Sequence, residues 1–120
     1  MLDEKSLERL KDTSMRLQNI FDICNEFGGI CNALQDSKMA QPAIVMHLIV
    51  CKKNIEKIVF SGNNVFEFLT KEDMRGFKAI RNIATHDYDG LNFAIIEATI
   101  KEYLPPIKER IDLFLQQQIN

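Results

Sequence analysis

Apolar residues along this chain recur at three- and four-residue steps, and no segment alternates with a period of two. A three-to-four period places side chains on one face of a helix, whereas strands need alternation. Leu7, Leu10, Ser14, Leu17, Phe21 and Cys24 form one such stripe on a long first helix. Glu4, Lys5, Glu8, Arg9, Lys11 and Asp12 fall mostly on its other faces. Gly28-Gly29 supplies the stop. A second helix is expected from near Ser37, whose hydroxyl is placed to cap it, to about Phe60. Its middle, Ala43 to Val50, is apolar all round apart from His47 and is expected at the bundle centre. Ser61-Gly62-Asn63-Asn64 reads as a turn and Val65 to Leu69 as a short element.

Thr70 and Asp73 have the spacing of a capping box, with Asp in place of the usual Glu. The helix they open carries Met74, Phe77, Ile80 and Ala84 on one side and ends near His86, before the Asp89-Gly90 break. The last region has Ala94, Ile95, Ala98 and Ile100, then Pro105-Pro106, then Ile107, Ile111, Phe114 and Leu115. Prolines are expected to end the first of these helices and to occupy the first turn of the next. The fold expected is all-α, one domain over residues 1–120, an up-and-down bundle of four to five helices.

Composition narrows the functional classes. With 46% hydrophobic and 27% charged residues, the chain can bury a core without disulfides or metals. A formal net charge of −2 means that nucleic-acid binding must rest on a local patch. Cys24, Cys31 and Cys51 show no C-x-x-C spacing, and the two histidines form no ligand pattern with them, so no metal site is expected. There is no Glu-x-x-His pattern for a di-iron centre, and no cofactor is expected. Free thiols suit a reducing cytoplasm. The N-terminus runs into a charged amphipathic helix and not a signal peptide. The longest apolar stretch, Ala43 to Cys51, is too short to cross a bilayer, so no membrane partner is expected.

Chemistry concentrates in Arg81-Asn82-Ile83-Ala84-Thr85-His86-Asp87-Tyr88. Arginine is a permanent cation whose fork of donors fits a phosphate, and histidine is the readiest proton carrier near neutral pH. A cation beside a proton carrier is what metal-free cleavage of a phosphodiester requires. Structural roles compete with this reading. Arg81 suits a surface ion pair, His86 the negative end of a helix dipole, and Tyr88 a half-buried anchor. His47, inside an apolar stretch, reads as a buried or interface histidine.

Lys71, Arg75, Lys78 and Arg81 step by four, three and three, so they share a face and could give RNA a positive track. Lys52 and Lys53 could extend it. Arg81 and His86, five apart, lie about 140° apart around an ideal helix. They converge only if the helix loosens near Thr85 or His86, or if two chains face each other. A two-fold dimer would also bring two histidines, one as base and one as acid.

Arg-Asn-x-x-x-His-x-Tyr late in a small helical chain resembles the motif of the HepT-like toxins of the HEPN superfamily. The resemblance extends to the Ala43 to Ile49 segment and to Leu104-Pro105, which opens the last helix. The chain departs in having Lys52-Lys53 where many relatives have Gly-Glu, and in lacking a Trp ahead of the motif. The resemblance implies a homodimeric, metal-independent endoribonuclease toxin, with Arg81 and His86 catalytic and Asn82 supporting. It also implies an antitoxin, a minimal nucleotidyltransferase that attaches AMP to Tyr88. The alternative is a non-catalytic substrate-binding or regulatory subunit of a nucleotidyltransferase, a role for which a histidine at position 86 is unnecessary.

Overall fold

α1 spans Glu4–Glu26 and begins where the Asp3 carboxylate accepts the Ser6 N–H at 2.7 Å. It ends in a Schellman motif. The Gly29 N–H donates to the Cys24 carbonyl at 2.8 Å and the Gly28 N–H to Asn25 at 3.2 Å. Gly28, at φ 82°, supplies the left-handed residue that this closure needs. In this computed structural model, which describes residues 2–62, 69–85 and 92–119, five further α-helical segments follow. They are α2 (Ile30–Gln35), α3 (Ala40–Phe60), α4 (Lys71–Thr85), α5 (Phe93–Ala98) and α6 (Leu104–Ile119). Among the described residues there is no strand.

The long helices pack antiparallel around one core. Asp12 meets Asn54, Cys51 meets Thr13, and Arg16 meets His47, so numbers fall along α3 as they rise along α1. The same holds between α4 and α6, where Asp73 pairs with Arg110 and Gly76 lies against Ile107. Leu10, Leu17, Ile20, Ile44, Leu48, Ile58, Ile80 and Ile107 are fully buried between these helices. Each such side chain contributes about 1.5–3 kcal/mol of transfer free energy. Leu7 and Phe21 only edge the core, while Leu10, Thr13, Leu17, Ile20 and Cys24 carry the inner face of α1. Ser14 instead donates its hydroxyl hydrogen to Asp112 of α6.

Four expectations need correction. Asp36, not Ser37, caps α3: its Oδ2 accepts the Ala40 N–H at 2.7 Å and the Met39 N–H at 3.2 Å. An ionised carboxylate is the stronger acceptor at a positive helix end, and Asp36 also closes the short α2, which periodicity did not reveal. The middle of α3 is not buried all round, for Met46 is 52% exposed and Ile49 and Val50 are half-buried. A helix packed between α1 and α4 still keeps one side outward, whatever its residues.

In α5 only Ile96 is buried, and the inner face continues with Thr99 and Ile100 beyond it, while Ile95 is 52% exposed and Ala94 and Ala98 lie outside. Finally, Pro105-Pro106 stand in the first turn of α6 as expected, but they do not end the helix before it. The chain stays helical from α5 into α6 through a π turn, Thr99–Tyr103, in which the Leu104 N–H donates to the Thr99 carbonyl. The wider turn relieves the contact that proline rings make with carbonyls four residues earlier. Asn63-Asn64, most of the Val65 to Leu69 element, and Asp89-Gly90 lie outside the described residues.

Candidate active site

The capping box that opens α4 forms as expected: Thr70 N–H donates to Asp73 Oδ2 at 3.0 Å, and Asp73 N–H to Thr70 Oγ1 at 3.1 Å. Asp73 is only 1% exposed and its carboxylate also pairs with Arg110 of α6, a partner that spacing alone could not name. This doubly used carboxylate fixes where α4 begins. Gly76 then lets α4 approach Tyr103 and Ile107 closely. Together they set the position of the basic face three turns long that leads to the motif.

That face runs along the outside of α4. Lys71, Arg75, Lys78 and Arg81 are all exposed, as are Asn82 and Thr85. Thr85 donates its hydroxyl hydrogen to the Asn82 carbonyl at 3.1 Å. Arg75 pairs with Glu72 at 3.4 Å, whereas Lys78 and Arg81 pair with no carboxylate among the described residues. Lys71, Arg75 and Lys78 border a shallow depression with Leu69, Thr70 and Met74. Lys78 and Arg81 border a larger groove of about 690 Å³ between α3 and α4. Ile55, Val59, Phe60, Met74 and Phe77 line it, with Lys52 and Glu56 on the α3 side.

Arg81 is thus brought together with Lys78 and with Lys52. Lys53 turns toward a separate depression with Arg9 and Lys57. The share of α3 in the groove is readable afterwards in Lys52, Ile55, Glu56 and Val59, at helical spacing, but nothing local showed that they would face α4. His86 and Tyr88, and with them the convergence of Arg81 on His86, lie outside the described residues.

His47 stands apart from this groove, on the α1 side of α3. Its Nδ1 is 3.3 Å from Arg16 Nη1, and Arg16 Nε is 3.5 Å from Asp12 Oδ1. A guanidinium can only donate, so Nδ1 is the acceptor and the ring is neutral with its proton on Nε2. Burial, and then the Arg16 charge, hold the His47 pKa below the ordinary histidine value, against a weaker opposite pull from Asp12. The buried Cys51 thiol is pushed up to about 12, chiefly by desolvation, and is not a nucleophile at neutral pH.

A model of the family described as ribonuclease HepT-like matches residues 5–114. The chain belongs to the HepT-like ribonuclease family. The match runs from the first turn of α1 into the last turns of α6, so it covers both helices that form the groove and the whole motif. No curated protein and no solved structure matches the chain significantly. Among the described residues, no helix is long and apolar enough to cross a membrane.

Proposed function

We propose that this HepT-like chain is a metal-independent endoribonuclease toxin of a toxin–antitoxin pair, acting in the cytoplasm as a homodimer. Family membership supports the ribonuclease class, and the observation that carries the site is Arg81. It is an exposed cation, without a carboxylate partner among the described residues, at the edge of a groove flanked by Lys52 and Lys78. In the proposed reaction the ribose 2′-oxygen attacks the adjacent phosphorus and the bond to the 5′-oxygen breaks. The products are a 2′,3′-cyclic phosphate and a 5′-hydroxyl. His86 takes the 2′-hydroxyl proton, and the same residue of a second copy gives one to the leaving 5′-oxygen. Arg81 stabilises the charge of the pentavalent phosphate, and Asn82 supports it. Lys71, Arg75 and Lys78 hold the RNA backbone.

His86→Ala and Arg81→Ala should each abolish RNA cleavage and growth arrest while leaving the circular dichroism of the helical fold unchanged. Wild-type activity should persist in EDTA. Cleavage by His86→Ala at the wild-type rate would refute the assignment. A sedimenting monomer that still cuts RNA would refute the composite site.

Control is assigned to Tyr88, as acceptor of AMP from a nucleotidyltransferase antitoxin. The added phosphodiester charge would occupy Arg81 and repel the RNA backbone. Mass spectrometry after co-expression with a neighbouring nucleotidyltransferase should find AMP on wild type and none on Tyr88→Phe. Equal addition to both rules Tyr88 out.

A further inference from the structure

The α3–α4 groove holds more than cations. Phe60, at the end of α3, is 94% exposed on its rim, whereas Phe77, lining the same groove, is 7% exposed. The Phe60 ring therefore contributes almost nothing to the core and presents its faces to solvent beside the groove. Ile55, Val59 and Met74 complete an apolar lining. Met74, Lys78 and Arg81 follow one another along α4 over about 10 Å, taking 1.5 Å per residue.

Charge decides what kind of molecule such a surface suits. Lys52 and Glu56 lie 3.7 Å apart and largely offset each other. Lys78 and Arg81 remain as a positive surplus in a chain whose formal net charge is −2. An exposed aromatic face beside unpaired cations matches an unstacked base with phosphates on either side. A double helix would not use it, because paired bases keep their faces covered.

We infer that the groove between α3 and α4 is a base-stacking subsite for single-stranded RNA, in which an unpaired base lies on the Phe60 ring and Lys78 and Arg81 hold the neighbouring phosphates. The inference rests on the nuclease reading for its ligand. It adds Phe60 to the RNA-binding surface, from the helix that precedes α4. The apolar lining imposes no pattern of donors and acceptors, so the subsite takes any base and selects for lack of pairing.

The test uses a short unstructured RNA oligonucleotide methylated at every 2′-oxygen, which cannot undergo transesterification, with 2-aminopurine at successive positions. Wild type should bind it and quench 2-aminopurine at whichever position carries it. Phe60→Ala should lose that quenching and bind about tenfold more weakly, as expected for one stacked base, while Phe60→Trp restores both. The ring is exposed, so the fold does not depend on it. Lys78→Ala should flatten the slope of log affinity against log salt by about 0.7.

Wild-type affinity and quenching in Phe60→Ala overturn the inference. So does a Phe60→Ala chain that sediments as a monomer where wild type is a dimer yet binds the oligonucleotide equally well, since the ring then serves a second copy. Cleavage of unmethylated RNA is scored separately. Phe60-dependent binding without cleavage leaves the subsite standing and removes the nuclease. Cleavage with Phe60-independent binding does the reverse.

Discussion

Gly76 sits in the middle of α4, where glycine is normally a liability, so Gly76→Ala sets two effects of known size against each other. Alanine raises helix propensity by about 1 kcal/mol at an interior position. The added Cβ, however, would lie 2.6 Å from Ile107 Cδ1 and 2.9 Å from Tyr103 Cβ. The first contact is with the end of a side chain, but Ile107 is fully buried, and pushing it off its rotamer costs about 0.5–1.5 kcal/mol. The second is with an atom attached directly to the π-turn backbone, so α4 and that turn must separate. Overpacking of this kind costs about 1–3 kcal/mol. Packing should win by about 1–2 kcal/mol. Unfolding entropy for 120 residues is roughly 0.25 kcal/mol/K, so Tm should fall by about 4–8 °C. Thermal melts followed by circular dichroism measure it. An unchanged or higher Tm would show that the close approach at Gly76 is not tight and that propensity governs the position.

Other expectations follow from single contacts. Asp73→Ala removes both the acceptor of the Thr70 N–H and the partner of Arg110, and should cost about 2 kcal/mol, seen as a lower urea midpoint with unchanged m. Arg110→Ala should cost less, because its own side chain is 38% exposed; equal losses would contradict the dual role of Asp73. His47 has a folded pKa below its unfolded value, so the unfolded chain takes up the proton first as pH falls. Its contribution is complete above about pH 6.5 and is lost as pH drops toward the folded value. The urea midpoint of wild type should therefore fall more steeply from pH 7 to 5 than that of His47→Gln, and parallel profiles would refute a lowered His47 pKa.

Element type was readable because helical periodicity, the Gly28-Gly29 stop and the Thr70–Asp73 box are local signals with local causes. Side-chain partners across helices were not. Asp73 reads as a cap from four residues of sequence, but Arg110 lies 37 positions away and no periodicity links the two. Lys52 and Lys53 are neighbours in sequence and indistinguishable by type, yet the step between adjacent helical residues sends one toward Arg81 and the other to a different depression. The apolar run of α3 misled for a related reason: periodicity cannot show a bare side when every position is hydrophobic, and Met46 shows that one exists. Nothing local to Phe60, which enters the sequence reading only as the end of a helix, shows that its ring faces outward.

The π turn at Thr99–Tyr103 has a bearing on how this chain tolerates changes in length. A π turn accommodates about one extra residue while leaving the helices on either side nearly in phase. Deleting Lys101 or Glu102, both exposed, would keep Ile96 on one side and Ile107 and Ile111 on the other facing the same core. The cost would fall on Pro105 and Pro106, whose rings would meet ordinary α-helical carbonyls once the turn tightened. The extra residue and the proline pair therefore depend on each other. A deletion alone should be damaging, whereas a deletion joined to replacement of both prolines should leave a plain α-helix of one residue fewer and an unaltered core.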